Sequence, residues 1–317
     1  MEDALATIAA AVWTDNWNHL INFKVILLSI VIESFPFLLM SVIVSALLNN
    51  FVSENTIRNM IPKSNILSIF MACFLGILFP VCDCGMVPIV RRLILKGVPL
   101  PAAIAFMLAA PIVNPVVSAA TAFAFQNNMY IVLLRLGTAF GVALCTGLLL
   151  NGFTRGRQLK SPSQIHSHGY CQHTLNSHHP GHSHLHRWIN TLRDASHEFF
   201  EMGKYLVIGA MLGSLSQIAI PREILLSLGQ DSSLSIGVMM VFAFFISVCS
   251  AADAFIAASF SSSFTLGSLV AFMVFGPMID LKNILMLLHT FRTKFVCCLT
   301  LIIIMLCSSA AYLINHL

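Results

Sequence analysis

Long apolar runs dominate this chain and set what it can fold into. They lie at roughly 24–48, 66–90, 99–125, 129–151, 200–220, 234–260, 264–281 and 290–314. A membrane-spanning helix needs about 20 mostly apolar residues, and these runs lack the alternation that strands of a membrane barrel would show. Charge settles the solvent. Only 9% of residues are charged while 57% are hydrophobic, against about 25% charged in a soluble domain. Such a chain cannot cover a water-facing surface, whereas a bilayer asks for none. We expect an all-α, polytopic membrane protein of about eight transmembrane helices, with broken or re-entrant helices inside the longer runs. The lipid bilayer is its first partner.

The ends and cysteines agree with this. The opening MEDALATIAAAVWTDNW has neither a basic n-region nor a small-residue cleavage site, so the first apolar run is expected to act as the insertion signal. The nine cysteines are Cys73, Cys82, Cys84, Cys145, Cys171, Cys249, Cys297, Cys298 and Cys307. An odd number, mostly within apolar runs, is no disulfide framework. The net charge of +4 is small and sits in short loops, so it reads as topology information rather than as a nucleic-acid surface.

One stretch differs from the rest. Residues 152–197 carry Arg155, Arg157, Lys160, Arg187 and Arg193, together with nine of the twelve histidines. Its Ser, Pro, Gly and Gln content predicts a flexible linker, and its basic residues place it in the cytoplasm. It would divide an N-terminal transmembrane repeat (1–151) from a C-terminal one (198–317). Arg91, Arg92 and Lys96 form a second basic cluster, two spans away and so on the same side. Lys282, Arg292 and Lys294 fit less well: a simple eight-span count puts them outside. Either a half-helix adds a crossing or the charge rule fails there.

The two halves share landmarks in one register. Glu33 with Phe37-Leu38-Leu39 answers Glu201 with Tyr205-Leu206-Val207. Pro80-Val81-Cys82 answers Ser247-Val248-Cys249, Ala105-Phe106-Met107 answers Ala271-Phe272-Met273, and Pro111 and Asn114 answer Pro277 and Asp280. A repeat of this kind points to transporters that bind at the repeat interface.

The candidate chemistry lies on these landmarks. FPVCDCGMVP, Phe79 to Pro88, sets Cys82, Asp83 and Cys84 in an apolar stretch beside helix breakers. An intramembrane carboxylate is costly and functional by default, and thiolates favour soft cations such as Cu(I), Zn(II) or trivalent arsenic. The one-residue spacing is unlike a structural zinc site. Cys73, Cys145 and Cys307 read as small core hydrophobes instead. In the second half Cys249 and Asp253 stand four apart, on one helical face, with Asp253 a pathway carboxylate and the small neighbours Ala257 and Ala258 allowing close helix approach. PIVNP (Pro111, Asn114) and GPMID (Pro277, Asp280) predict paired breaks whose freed carbonyls and side chains could hold an ion or only shape packing. Glu33 is a further intramembrane carboxylate, either in the site or a structural hydrogen-bonding group. The loop IHSHGYCQHTLNSHHPGHSHLH offers His166, His168, His173, His178, His179, His182, His184 and His186 as weak ligands for a loosely held divalent metal. No tightly held cofactor is implied. P-loop, GxSxG and HExxH motifs are absent from the sequence, so no enzyme is expected.

At Pro80-Val-Cys-Asp-Cys-Gly, Pro111-Ile-Val-Asn-Pro, the Cys249–Asp253 segment and Gly276-Pro-Met-Ile-Asp280, the chain resembles a permease family. That family includes the organoarsenical efflux permease ArsP and the YraQ-like proteins. The resemblance covers nearly the whole chain outside the His-rich loop. It implies a multi-pass protein of the cell membrane. Related proteins are described as one subunit of a two-component membrane permease, which implies a second membrane subunit. The His-rich loop lies outside the shared pattern and adds a divalent metal to the arsenical as substrate. The expected function is a permease subunit moving a small solute or a soft or divalent metal species across the cell membrane with ion coupling. The alternative is a metal-sensing membrane scaffold of a multi-subunit complex. A thiol oxidoreductase is disfavoured, because Cys82 and Cys84 lack the usual Cys-x-x-Cys spacing.

Overall fold

The computed structural model describes residues 2–51, 64–78, 82–153, 184–219 and 232–316. Among them the chain is helical and without strands. The helices are α1 (Glu2–Phe51), α2 (Asn65–Leu78), α3 (Asp83–Leu95), α4 (Leu100–Ala109), α5 (Pro115–Ala124) and α6 (Met129–Phe153), then α7 (His184–Ala219), α8 (Ser232–Ile246), α9 (Ala252–Ser259), α10 (Leu266–Met278), α11 (Leu281–Thr290) and α12 (Thr293–His316).

Among the described residues four stretches are long and apolar enough to cross a membrane: Leu20–Leu47, Met129–Gly152, Leu266–Thr290 and Thr293–His316. The outer faces of α1 and α12 are apolar and exposed, as at Leu28, Ile32 and Met40 and at Leu301, Met305 and Leu313, whereas Leu266–Thr290 is mostly buried. The buried side chains include Asp83, Arg135, Asp253, Asp280 and Lys282. Apolar groups outside and charges inside invert the pattern of a soluble protein and suit a bilayer, where polar groups turn inward. The chain is a polytopic membrane protein.

Four of the expected single spans are interrupted. The run at 66–90 is divided between α2 and α3, that at 99–125 between α4 and α5, and that at 234–260 between α8 and α9. The run at 264–281 continues beyond a break into α11, a helix where the sequence reading placed a loop. Two of the breaks have a local cause. Asn114 is extended, and its side chain accepts from Val116 N at 2.8 Å, with Pro115 opening α5. Asp280 is extended, and its Oδ1 accepts from Asn283 N at 2.7 Å. Each side chain satisfies an orphan amide of a new helix start, the ordinary work of an N-cap. A helix begins within the expected linker 152–197. α7 is already helical from His184, and Ala195 and Glu198 are buried.

The described helices form two series, α1–α6 and α7–α12, in which α2 packs on α4 as α8 packs on α10, and α4 on α6 as α10 on α12. The series meet through matched elements: α1 along α7, α6 against α12, and the short α3 and α5 against α11 and α9 respectively. The broken helices of the two halves therefore converge in the interior.

Candidate functional site

The site is assembled from the N-terminus of α3 outward. Cys82 is extended (φ −77°, ψ 167°) and precedes Asp83 in the first turn, where the positive end of the helix dipole favours a carboxylate. One ligand atom each from Cys82, Asp83 and Cys84 lies within 4.8 Å of the others. α1 presents Glu33 and Ser34 to this turn, and Cys84 Sγ is 4.0 Å from Ser34 Oγ and 3.8 Å from Asp83 Oδ2. From the second half comes the break after α8. Ser247 takes a left-handed φ of 48°, rare for a residue with a Cβ, and turns the chain just before Cys249. The Cys249 thiol donates to Glu33 Oε1 at 2.6 Å.

These groups line one cavity of about 10 Å³, room for a single water. Lys282, in the first turn of α11, completes the lining. Its Nζ is 3.4 Å from Asp280 Oδ2, with both side chains almost wholly buried. Asp83 Oδ1 is buried without a hydrogen-bond partner, the one carboxylate oxygen of this turn left to a ligand or water.

Asp253 lies deeper, in the first turn of α9. A Cβ on Gly276 would come 3.3 Å from Asp253 Oδ2, so the glycine admits the carboxylate against α10. The cation that attracts it most strongly is Arg135 of α6. Arg135 is 1% exposed and donates to Thr121 Oγ1 at 2.8 Å and to the Ser250 carbonyl at 2.7 Å. It thus ties α5 of the first half to the α8–α9 break of the second.

Of the residues expected in a substrate or ion path, the fold brings Glu33, Cys82, Asp83, Cys84 and Cys249 to one cavity, with Asp280 reaching it through Lys282. Asp253 is within electrostatic reach of Asp83 and Lys282 but does not line it. Pro111, Asn114 and Pro277 are buried at or beside the breaks and stay outside the lining. His166, His168, His173, His178, His179 and His182 lie outside the described residues, and His184 and His186 fall in the first turn of α7.

Lys282 and Arg135 were not singled out from the sequence. Lys282 was read as a loop charge, yet it is buried at the centre. The available signal was its failure to fit the topology count, and for Arg135 its place midway along an apolar run. A second missed group lies at the far end of α3. Arg92 is 3.5 Å from Glu198 Oε2, which also accepts from Ser45 Oγ at 2.9 Å. Glu201 pairs with His289 at 3.0 Å and with Arg91 at 4.0 Å.

A family described as "Predicted permease", ArsP_1, matches residues 19–316. The chain belongs to this permease family. The permease is 44% identical over 298 residues to UPF0718 protein YcgR of Bacillus subtilis, covering 94% of this chain and 98% of that protein. It is 38% identical over 285 residues to a Streptococcus mutans protein, covering 88% of this chain and 92% of that one. That relative is provisionally named a subunit of a two-component membrane permease complex. No solved structure matches the permease.

Proposed function

We propose that this permease moves a thiophilic or divalent metal species, a soft metal ion or an organoarsenical, out across the cell membrane along a path between its two halves. The observation that carries this reading is the meeting of Cys82 and Cys84 from the first half with Cys249 from the second around one cavity that also holds Glu33, Asp83 and Lys282. Thiol ligands select soft species. Drawing them from both halves ties occupancy of the site to the relation between the halves, as alternating access requires.

Asp83 is the coupling carboxylate in this reading. It is buried, keeps one oxygen without a partner, and sits where a proton or cation would share the pocket with substrate. The cavity admits no more than a water as it stands, so loading needs α1, α3 and the α8–α9 break to part. A second membrane subunit completes the transporter, as the name of the Streptococcus mutans relative implies for that protein.

The test compares cells lacking the gene with cells expressing wild type or a Cys82→Ala, Cys84→Ala double variant. Cellular content and tolerance are measured for zinc, copper and methylated trivalent arsenic. A species whose content falls with wild type but not with the variant names the substrate class. No response from any of the three would remove the soft-ligand reading. Deleting residues 160–186 separates transport from metal sensing, since a sensor would fall silent while transport would only be modulated.

A further inference from the structure

Among the described residues, Lys282 is the only cationic side chain lining the central cavity, and nothing in a soft-metal site calls for it. A fixed positive charge repels a cationic substrate, so its presence needs a reason. The carboxylates around it supply one. Glu33 faces the cavity from α1 and Asp83 from α3, beside the thiols of Cys82 and Cys84 and that of Cys249 from the α8–α9 break. Asp280 pairs with Lys282 from the start of α11. Behind them Asp253 of α9 feels both Asp83 and Lys282, and the cation that attracts it most strongly is Arg135. Without Lys282, the carboxylates at the cavity would be buried with no compensating charge beside them, which is strongly unfavourable in an apolar interior.

We propose that Lys282 is a tethered counter-ion, which holds the anionic pocket while the permease is empty and gives it up to a cationic substrate. The inference rests on the permease reading of this cavity and adds how the site releases its cargo. Geometry supports a moving head on a fixed base. A Cβ on Gly209 would lie 2.8 Å from Lys282 Cα, so the glycine seats the α11 backbone directly on α7. The ammonium, by contrast, ends a flexible four-carbon stem. The pocket has room for one water, so a metal ion can reach the thiols and Asp83 only as the ammonium withdraws. Competition of this kind weakens binding. It also leaves the emptied carrier electrically compensated and able to return without cargo. Removing the charge should therefore tighten cation binding and slow the empty return, while exchange of bound for free substrate continues.

The experiment uses the full-length protein in detergent and in proteoliposomes, with Zn(II) as the probe. Lys282→Met keeps the stem and removes the charge, Lys282→Arg keeps the charge, and Lys282→Gln stands in if the methionine variant lowers the yield of folded protein. The charge-free variants should bind Zn(II) roughly tenfold or more tightly than wild type, and Lys282→Arg should stay near wild type. Net zinc efflux by the charge-free variants should fall severalfold while zinc–zinc exchange survives. Unchanged or weaker Zn(II) binding in folded charge-free variants, beside a wild type that binds and moves zinc, overturns the counter-ion role alone. Absence of Zn(II) binding in wild type and variants alike overturns it together with the divalent-cation reading.

Discussion

The Cys249 thiol donates to Glu33 Oε1 at 2.6 Å across 216 positions of sequence, joining the break of one half to the long first helix of the other. Serine can replace the donor but not the soft ligand, so two variants separate the roles. Cys249→Ala should lower stability by about 0.5–1.5 kcal/mol, the usual net worth of one hydrogen bond, and Cys249→Ser should recover most of it. Both should lose transport of the thiophilic species. Thermal unfolding in detergent reads the first effect and cellular metal content the second. A serine variant that transports like wild type would take Cys249 out of the substrate path.

The paired caps give a graded prediction. Asn114→Ala removes a cap from α5 and should cost about 1 kcal/mol. Asp280→Ala removes the equivalent cap from α11 and also strands Lys282, buried 3.4 Å away. Breaking a buried pair on one side costs about 3–5 kcal/mol, so this variant should be far less stable. Asp280→Asn retains a capping oxygen while losing the charge, and its unfolding temperature should fall between the other two. Equal losses at Asn114 and Asp280 would mean that the lysine pair contributes little.

Much of this arrangement could be read from the chain. Apolar runs with few charges dictate helices in a bilayer, and Pro111, Asn114, Pro277 and Asp280 mark two of the breaks, because proline and an Asx cap act locally. Cys82-Asp83-Cys84 stands out because a carboxylate and thiols have no local reason to sit in an apolar run. What remained hidden depends on tertiary contact. Asn114 and Asp280 both cap a helix start, but Asp280 is followed two residues on by Lys282 and Asn114 by Val116, and it is the packing of α11 against α3 and α7 that buries this lysine. Lys282 sits between two apolar segments, so the sequence could not distinguish a loop charge from a buried one. The link of Glu198 to Arg92 and Ser45 joins three helices and has no local signature.

Arg135 and Asp253 attract each other electrostatically in the interior without a direct ion pair, and they test whether charges there act as a unit. Asp253→Asn removes the carboxylate that attracts Arg135, and Arg135→Met removes the cation that attracts Asp253. Each single change should destabilise, whereas the double variant should lose less than the sum of the two. Thermal unfolding of all four proteins gives the coupling. Strict additivity would show that Arg135 acts only through its bonds to Thr121 and the Ser250 carbonyl.

Glycines on the two interface helices α6 and α10 should respond in opposite ways. In α10, a Cβ on Gly267 would collide with the Ala311 carbonyl oxygen of α12, and the Gly267 amide already donates to Asn315 Oδ1 at 2.7 Å. Helices meet this closely only where small residues allow it. Gly267→Ala must push α10 off α12 and should cost about 1–3 kcal/mol, the usual range for overpacking. In α6, Gly137 and Gly141 have nothing within 4 Å of the added carbon. Alanine there should be neutral or stabilise the helix by up to about 1 kcal/mol. Unfolding temperatures of the three single variants in one detergent provide the comparison. If Gly267→Ala matched wild type, α10 and α12 would have to be farther apart than their contact at Ala311 places them, and the close seam between these helices would be lost as a feature of the fold.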